Sequence, residues 1–523
     1  MNMKNSDIPF LVLVILAFLP LILLRDFTPL NELRYISIAD EALRNGHFFT
    51  FTNHGIPYAD KPPLFLWLIM AAKSLLGSHQ MWILALGSLI PALVIIQTMD
   101  NWVKHELTQA NRFTAKLMLM SSGLFLGLSL LVRMDMLMCM FIVLSLNTFY
   151  RMYKERGKKW DVYLFPFYVF MAIFSKGPFG LLIPLFVSMG YLLLEKKIAT
   201  LKRYWGWKTW LILIIFCGIW FAGVANEGVP GYLNNLLFHQ TVNRGINTFH
   251  HKEPFYYYMV SFWYSLAPWS LLIFGIFLTS LKKGWIKTEL ERFFLTTIAV
   301  MFIMLSLVSS KIQIYLAPAF PFMIYLTALL MKKFKWNQWL SMAVGLPALL
   351  FSSSIFVLGY FILFRNENKI LIQPFIILGV ALLSTAALIS LYFNYKRKDL
   401  GKAINLLAIG ILISVFIAAW SLPDVNSYIG YANLSKEIKK VRAEKQIAAT
   451  YLYKLKRADN MDVFLDHTFE VLKKDALLKK KLSPGILVID NDVIDSDKKD
   501  REIIDLVKGK ERHIVGNYSV IVL

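Results

Sequence analysis

Cysteine is nearly absent, with only Cys139 and Cys217 in 523 residues. Both lie in apolar segments, so a disulfide framework and a Cys-based metal site are excluded. Charge is scarce too: 17% of residues are charged, against about a quarter in soluble domains. Acidic residues are the scarcer sign, 34 against 56 basic, for a net +22. The chain has no Gly-rich phosphate loop, no nucleophile elbow and no HExxH, which argues against ATP-driven transport. It has no internal repeat either, whereas many transporters are built from two related halves.

What fills the chain is apolar sequence. It is 57% hydrophobic and 15% aromatic, with mean hydropathy +0.53. The positive charge is therefore read as cytoplasmic loops obeying the positive-inside rule, not as a nucleic-acid surface. The first apolar run, 8–24, has only Lys4 before it and no small-residue cleavage site after it. It reads as a retained anchor. A span needs roughly 20 apolar residues. Runs centre near residues 16, 89, 122, 142, 168, 186, 217, 268, 301, 321, 350, 382 and 411, thirteen in all.

A fourteenth run, 64–76, is short and carries Lys73. Segments 151–159 and 196–208 each hold five Lys/Arg, and 282–292 and 396–402 hold four each. Placing these inside, with the N-terminus, puts 31–63 and 226–254 outside. The count closes if 64–76 lies along the outer interface; the alternative is a re-entrant or short span. The expected fold is thus an α-helical polytopic membrane protein, residues 1–422, with about thirteen spans. A small outer α/β domain, 423–523, follows. In it, 461–466, 485–490 and 513–523 read as strands, and 435–456 and 469–480 as helices.

The outer segments carry the ionisable groups. Arg34, Lys61, Arg133, Lys176, Arg244 and Lys311 stand nearly alone in their loops, on the side that the positive-inside rule leaves poor in cations. Together they suit a phosphate, arginine by bidentate bonding and lysine as a point charge. The competing reading is ordinary interface anchoring by snorkelling side chains. Tyr35, Ile38, Ala39 and Ala42 make one helical stripe, and Arg34, Ser37, Asp40, Glu41 and Arg44 the other face. This predicts a helix over 34–45 lying on the membrane, with Asn31 as N-cap and Gly46 as stop. Glu32 is either a favourable first-turn charge or an acid/base group. His239, His250, His251, Glu253 and Asp60 have the chemistry of divalent-metal ligands but no tight motif. Surface histidines are the simpler reading, and no cofactor is demanded.

Some of these segments resemble a known family. NELRYISIADEALRNG, 31–46, followed by GIPYADKPPLFLWL, 55–68, resembles the first periplasmic loop of GT-C glycosyltransferases of the lipid A aminoarabinose transferase type. These are relatives of the protein O-mannosyltransferases. The family's loop reads Asp-Glu-x-Arg-Tyr, a helix, then Tyr-x-x-Lys-Pro. Val132-Arg133-Met134-Asp135 resembles its short loop with a second acidic residue. Ser175-Lys176-Gly177 resembles a Thr-Lys-Gly turn. His239 to Arg244, then His251 to Tyr258, resembles a His…Arg…Pro-Phe-x-Tyr-Tyr stretch, and Lys311 to Leu316 resembles Lys-x-x-x-Tyr-x-Leu.

The resemblance spans about 8–330 and implies sugar transfer from a polyprenyl-phosphate donor to an acceptor such as lipid A. The setting would be a monomer in the bacterial inner membrane, with the site on the periplasmic face. Lys61 and Arg244 would hold the lipid phosphate, with Arg34, Tyr35, Tyr58, Tyr315 and Lys311 nearby. Asp135 would shape the sugar pocket, and Glu32 would match the family's glutamate. Asn31 departs from the family: it replaces an aspartate often assigned as base or acceptor contact, and it cannot take a proton. The rival readings are a protein O-glycosyltransferase or oligosaccharyltransferase, and a non-enzymatic lipid flippase.

Overall fold

The computed structural model describes residues 8–236, 253–364, 370–465, 467–479, 483–495 and 501–523. Arg244, His239, His250 and His251 therefore lie outside the described residues.

The apolar runs fold as helices. They begin with α1 (Ile8–Leu24), α2 (Glu32–Asn45), α3 (Leu64–Leu76), α4 (Met81–Val103), α5 (Gln109–Met120), α6 (Gly123–Leu130), α7 (Asp135–Tyr153), α8 (Asp161–Lys176) and α9 (Phe179–Leu194). Among the described residues, eight helices are long and apolar enough to cross a membrane, or nine if α5 and α6 form one broken span. The remaining expected runs coincide with shorter helices or helix pairs, so thirteen crossings are not established by length and composition.

The break between α5 and α6 is a bend of 70°, and it has a local cause. Ser121 and Ser122 turn their hydroxyls back onto the carbonyls of Leu117 and Met118, at 2.6 and 2.8 Å. The Gly123 N–H leaves the helix for the Ala267 carbonyl. Serine back-bonding beside glycine is a recognised kink site.

α3 has 13 residues and at 1.5 Å per residue is shorter than a hydrocarbon core of about 30 Å. It packs along α2, with Tyr35 edge-on to Phe65 and Lys73 Nζ 2.6 Å from Asp40.

α2 forms where the stripe predicted it, and Gly46 stops it in the left-handed conformation, φ 69°. Two details differ. The Asn31 side chain makes no capping bond; its Oδ1 accepts from Arg34 Nη2 at 3.4 Å. The polar face is also partly covered rather than wet throughout. Ser37 and Asp40 are buried, Ser37 Oγ donating to Asp462 Oδ2 of the C-terminal segment at 2.7 Å and Asp40 pairing with Lys73 and His79, while Arg44 stays exposed.

A short hairpin, β1 (Thr52–Asn53) and β2 (Ile56–Pro57), follows α2. The last hundred residues form one five-stranded sheet from β3 (Ala449–Tyr453), β4 (Glu470–Leu472), β5 (Gly485–Asp490), β6 (Arg512–Val515) and β7 (Tyr518–Val522), in the order β4-β3-β5-β7-β6. β3 pairs parallel with β4 and β5, and β7 pairs antiparallel with β5 and β6. The expected strand 485–490 is present, and 513–523 is a hairpin. The expected strand at 461–466 is a 3-10 turn, Ala458–Val463. The expected helix at 435–456 stops at Lys445 and gives way to β3, and 469–480 starts as β4. Period-two burial explains the sheet. Leu452, Ile486, Val488 and Val520 face the core that also contains Leu33 and Tyr35, while Tyr451, Leu487, Ile489 and Ile521 face a separate cluster.

Candidate functional site

The site forms at one end of the helix bundle, where α1, α6 and α8 finish and α7 starts. Its frame is Glu32. This carboxylate is fully buried and receives five donors. Arg25 binds it bidentately, 2.7 Å from each nitrogen. The Thr28 N–H and hydroxyl donate at 2.8 and 2.9 Å, and the Val132 N–H at 2.8 Å. Burial alone would raise its pKa, but Arg25 and the N–H donors outweigh that and hold it below the ordinary carboxylate range. Arg25 also reaches the Leu130 carbonyl, and Ser88 Oγ donates to the carbonyls of Leu131 and Arg133. The loop between α6 and α7 is thereby fixed to the start of α2.

That loop carries Arg133, and Asp135 opens α7 directly after it. Arg133 Nε lies 2.9 Å from Asp135 Oδ2, and Lys176, from the end of α8, bonds the other Asp135 oxygen. Lys176 Nζ stands 4.5 Å from the centre of the Tyr315 ring, a cation–π contact. Arg34 lies over Tyr35 and Tyr58, 5.4 and 5.8 Å from the ring centres. Burial disfavours the charge of Arg34, yet Tyr58, Tyr35 and Asp60 raise its pKa and keep it cationic. Arg133 behaves likewise beside Asp135. Arg34 Nε is buried and finds no hydrogen-bond partner among the described residues. The structure thus gathers Arg34, Tyr35, Tyr58, Asp60, Arg133, Asp135, Lys176 and Tyr315 at one place. Lys61 follows Asp60 directly and is half-buried.

Lys311 is buried and its Nζ donates to the Glu253 carbonyl at 3.0 Å. Beside it, Tyr257 donates to Gln313 and Tyr258 to the Ile312 carbonyl, tying 253–258 to the segment that carries Tyr315. Among the described residues no three His, Cys, Asp or Glu side chains converge as a metal site.

Three features were not singled out in the sequence. Arg25 neutralises Glu32. Glu227, at the end of helix Trp207–Glu227, accepts from the N–H groups of Phe48, Phe49 and Thr50 and from the Thr50 hydroxyl. Glu41 accepts from the Thr52 hydroxyl and from the His54 and Gly55 N–H groups, holding the hairpin. A lone carboxylate at a helix end was the available signal, but its partners are 179 residues away in the case of Glu227 and Phe48.

The fold resembles that of membrane glycosyltransferases, and the chain is similar to such enzymes along most of its length. Residues 60–220 match the family Dolichyl-phosphate-mannose-protein mannosyltransferase. The chain is 24% identical over 421 residues to the undecaprenyl phosphate-alpha-4-amino-4-deoxy-L-arabinose arabinosyl transferase of Aeromonas hydrophila, covering 75% of this chain and 73% of that one. It is 25% identical over 419 residues to an uncharacterized protein of Aquifex aeolicus, covering 80% and 78%. The crystal structure of ArnT from Cupriavidus metallidurans bound to undecaprenyl phosphate shares the fold, with TM-score 0.76, 15% identity and coverage of 99% and 98%. The resemblance to the aminoarabinose transferases therefore holds along the chain, beyond the segments that first suggested it.

Proposed function

We propose that the chain transfers a sugar from a polyprenyl-phosphate donor to an anionic glycolipid acceptor of the lipid A kind, at the periplasmic face of the inner membrane. The acceptor oxygen attacks C1 of the sugar, the C1–O bond to phosphate breaks, and the anomeric centre inverts. The electron pair leaves on the polyprenyl phosphate. Lys61, Arg244 and Arg34 stabilise that charge, which is the usual source of catalysis where charge develops. Tyr35, Tyr58 and Tyr315 border the phosphate, and Asp135, held by Arg133 and Lys176, shapes the sugar pocket. The observation that carries this reading is the cluster of buried or half-buried cations around Asp135.

Two features favour an acceptor that is already ionised. Asn31 cannot take a proton, and Glu32 has both oxygens committed to five donors. A phosphate oxygen needs no base at neutral pH, whereas a hydroxyl benefits from one. The cations supply the charge stabilisation, so a divalent ion is not required and transfer should survive chelation with EDTA.

The test is transfer from a labelled polyprenyl-phosphate sugar by purified protein in vesicles. Lys61→Ala and Arg244→Ala should each lower turnover by about 100-fold or more, the scale of losing one charge-stabilising donor. Wild-type rates in both variants would overturn the assignment. The match of 60–220 to protein mannosyltransferases gives the second reading, a polypeptide acceptor. Label in peptide and none in lipid A would select it.

A further inference from the structure

The end of the bundle opposite this site holds a second charged cavity, of about 750 Å³. It lies between the end of α4, the end of α7 and the start of helix Glu289–Leu307. Its floor is aromatic, with Trp102 and Tyr150 in ring contact at 5.6 Å. Its walls and rim carry five cations, Lys104, Arg151, Lys154, Arg156 and Lys158. The acidic groups are already neutralised. Arg151 pairs with Asp161, Lys154 with Glu289, and Glu106 with Lys332. Lys104, Arg156 and Lys158 have side chains without an ion pair or hydrogen bond among the described residues. The indole N–H of Trp102 is buried and also finds no acceptor among the described residues. A buried donor without a partner costs free energy unless a ligand satisfies it.

We propose that this cavity binds a phosphate-bearing anion, either the headgroup of an anionic phospholipid in the leaflet that the basic loops face or a soluble phosphate ester. Three cations at the rim attract the phosphate, and the Trp102 N–H donates one hydrogen bond at the floor. Basic pockets between transmembrane helices on the cytoplasmic side are a known physical solution for anionic headgroups. Loop charge obeying the positive-inside rule accounts for the cations but not for a concave site with an unsatisfied indole. The proposal is independent of the sugar-transfer reading.

The test uses the full-length protein in detergent micelles, with binding read by native mass spectrometry. The probes are short-chain phosphatidylglycerol, the neutral diacylglycerol and glycerol phosphate. Phosphatidylglycerol should bind tighter than diacylglycerol. Lys104→Gln/Arg156→Gln/Lys158→Gln, all three exposed in the fold, should weaken it at least ~10-fold, and Trp102→Phe should weaken it several-fold with the fold intact. Lys61→Ala should bind as wild type, which separates this site from the donor site. Glycerol phosphate binding with the same sensitivity would support the site and identify a soluble ligand. Anion binding no tighter than diacylglycerol, or unchanged in the triple variant and in Trp102→Phe, overturns the proposal.

Discussion

At the residue scale the site turns on how its carboxylates are engaged. Glu32 is a first-turn residue of α2, but its role is set by Arg25 and the Val132 N–H, which fasten the Arg133–Asp135 loop to α2. Glu32→Gln keeps the shape and removes the charge, leaving Arg25 buried without its partner. The cost is about 3 kcal/mol, as for other broken buried pairs. The folded pKa lies below the reference 4.5, so the carboxylate's contribution is full above that pH and is lost as pH falls through the folded value. Thermal unfolding should therefore show a large deficit for Glu32→Gln at pH 7 that shrinks towards pH 4. A deficit that grew on acidification would contradict the ion-pair account. Asn31 gives a second prediction. Its side chain caps nothing, so Asn31→Asp should change stability by less than about 0.5 kcal/mol, the range of ordinary surface substitutions. With an already ionised acceptor it should not raise kcat, and a faster variant would point to a hydroxyl acceptor.

At the scale of elements, the helices were legible because apolar runs of membrane length have few alternatives. Their breaks were less so. The 121–123 bend depends on serine hydroxyls choosing backbone carbonyls over solvent, and on the Ala267 carbonyl being present to receive the Gly123 N–H. The strand β3 was read as the end of a helix, although Ala449–Tyr453 carries the Thr and Tyr residues that strands favour; its parallel pairing with β5 realises that preference. The loop from Phe48 to Thr50 is ordered by Glu227. In Glu227→Gln the charge-assisted bonds weaken, so the amides of Phe49 and Thr50 should exchange with deuterium about 10-fold faster. KM for the donor should rise while the helices stay protected. Unchanged exchange at those amides would show that the loop is held by other contacts.

At the scale of the whole molecule, the C-terminal sheet shares a continuous core with the membrane helices. Tyr431, Leu434, Ile438 and Val520 belong to the same cluster as Leu33 and Tyr35. Polar contacts reinforce the seam. Asp26 accepts from the Ala432 N–H, Asn426 bonds Leu24 and Asp26, and Asn460 donates to the Pro29 carbonyl. Asp462→Ala removes the acceptor of the buried Ser37 hydroxyl and should cost about 1–3 kcal/mol. Adding Ser37→Ala should recover part of that loss, since the orphaned donor is then gone. A fully additive double variant in thermal unfolding would show that the contact carries no coupling.

The sequence by itself determined the helical membrane architecture, the short α2 with its glycine stop, and the residue types that gather at the site. Hydrophobic length and 3.6-residue spacing are properties of contiguous sequence, so they can be read one segment at a time. Only the tertiary structure decided which ionisable groups are engaged and by what. Glu32 with Arg25 and Val132, Asp135 between Arg133 and Lys176, Lys311 on a carbonyl and Ser37 under Asp462 are pairings across loops. Most are fixed where separate elements meet, as for Glu32 with Val132, Asp135 with Lys176 and Ser37 with Asp462, so a charge's partner is set by that meeting more than by its neighbours in the chain.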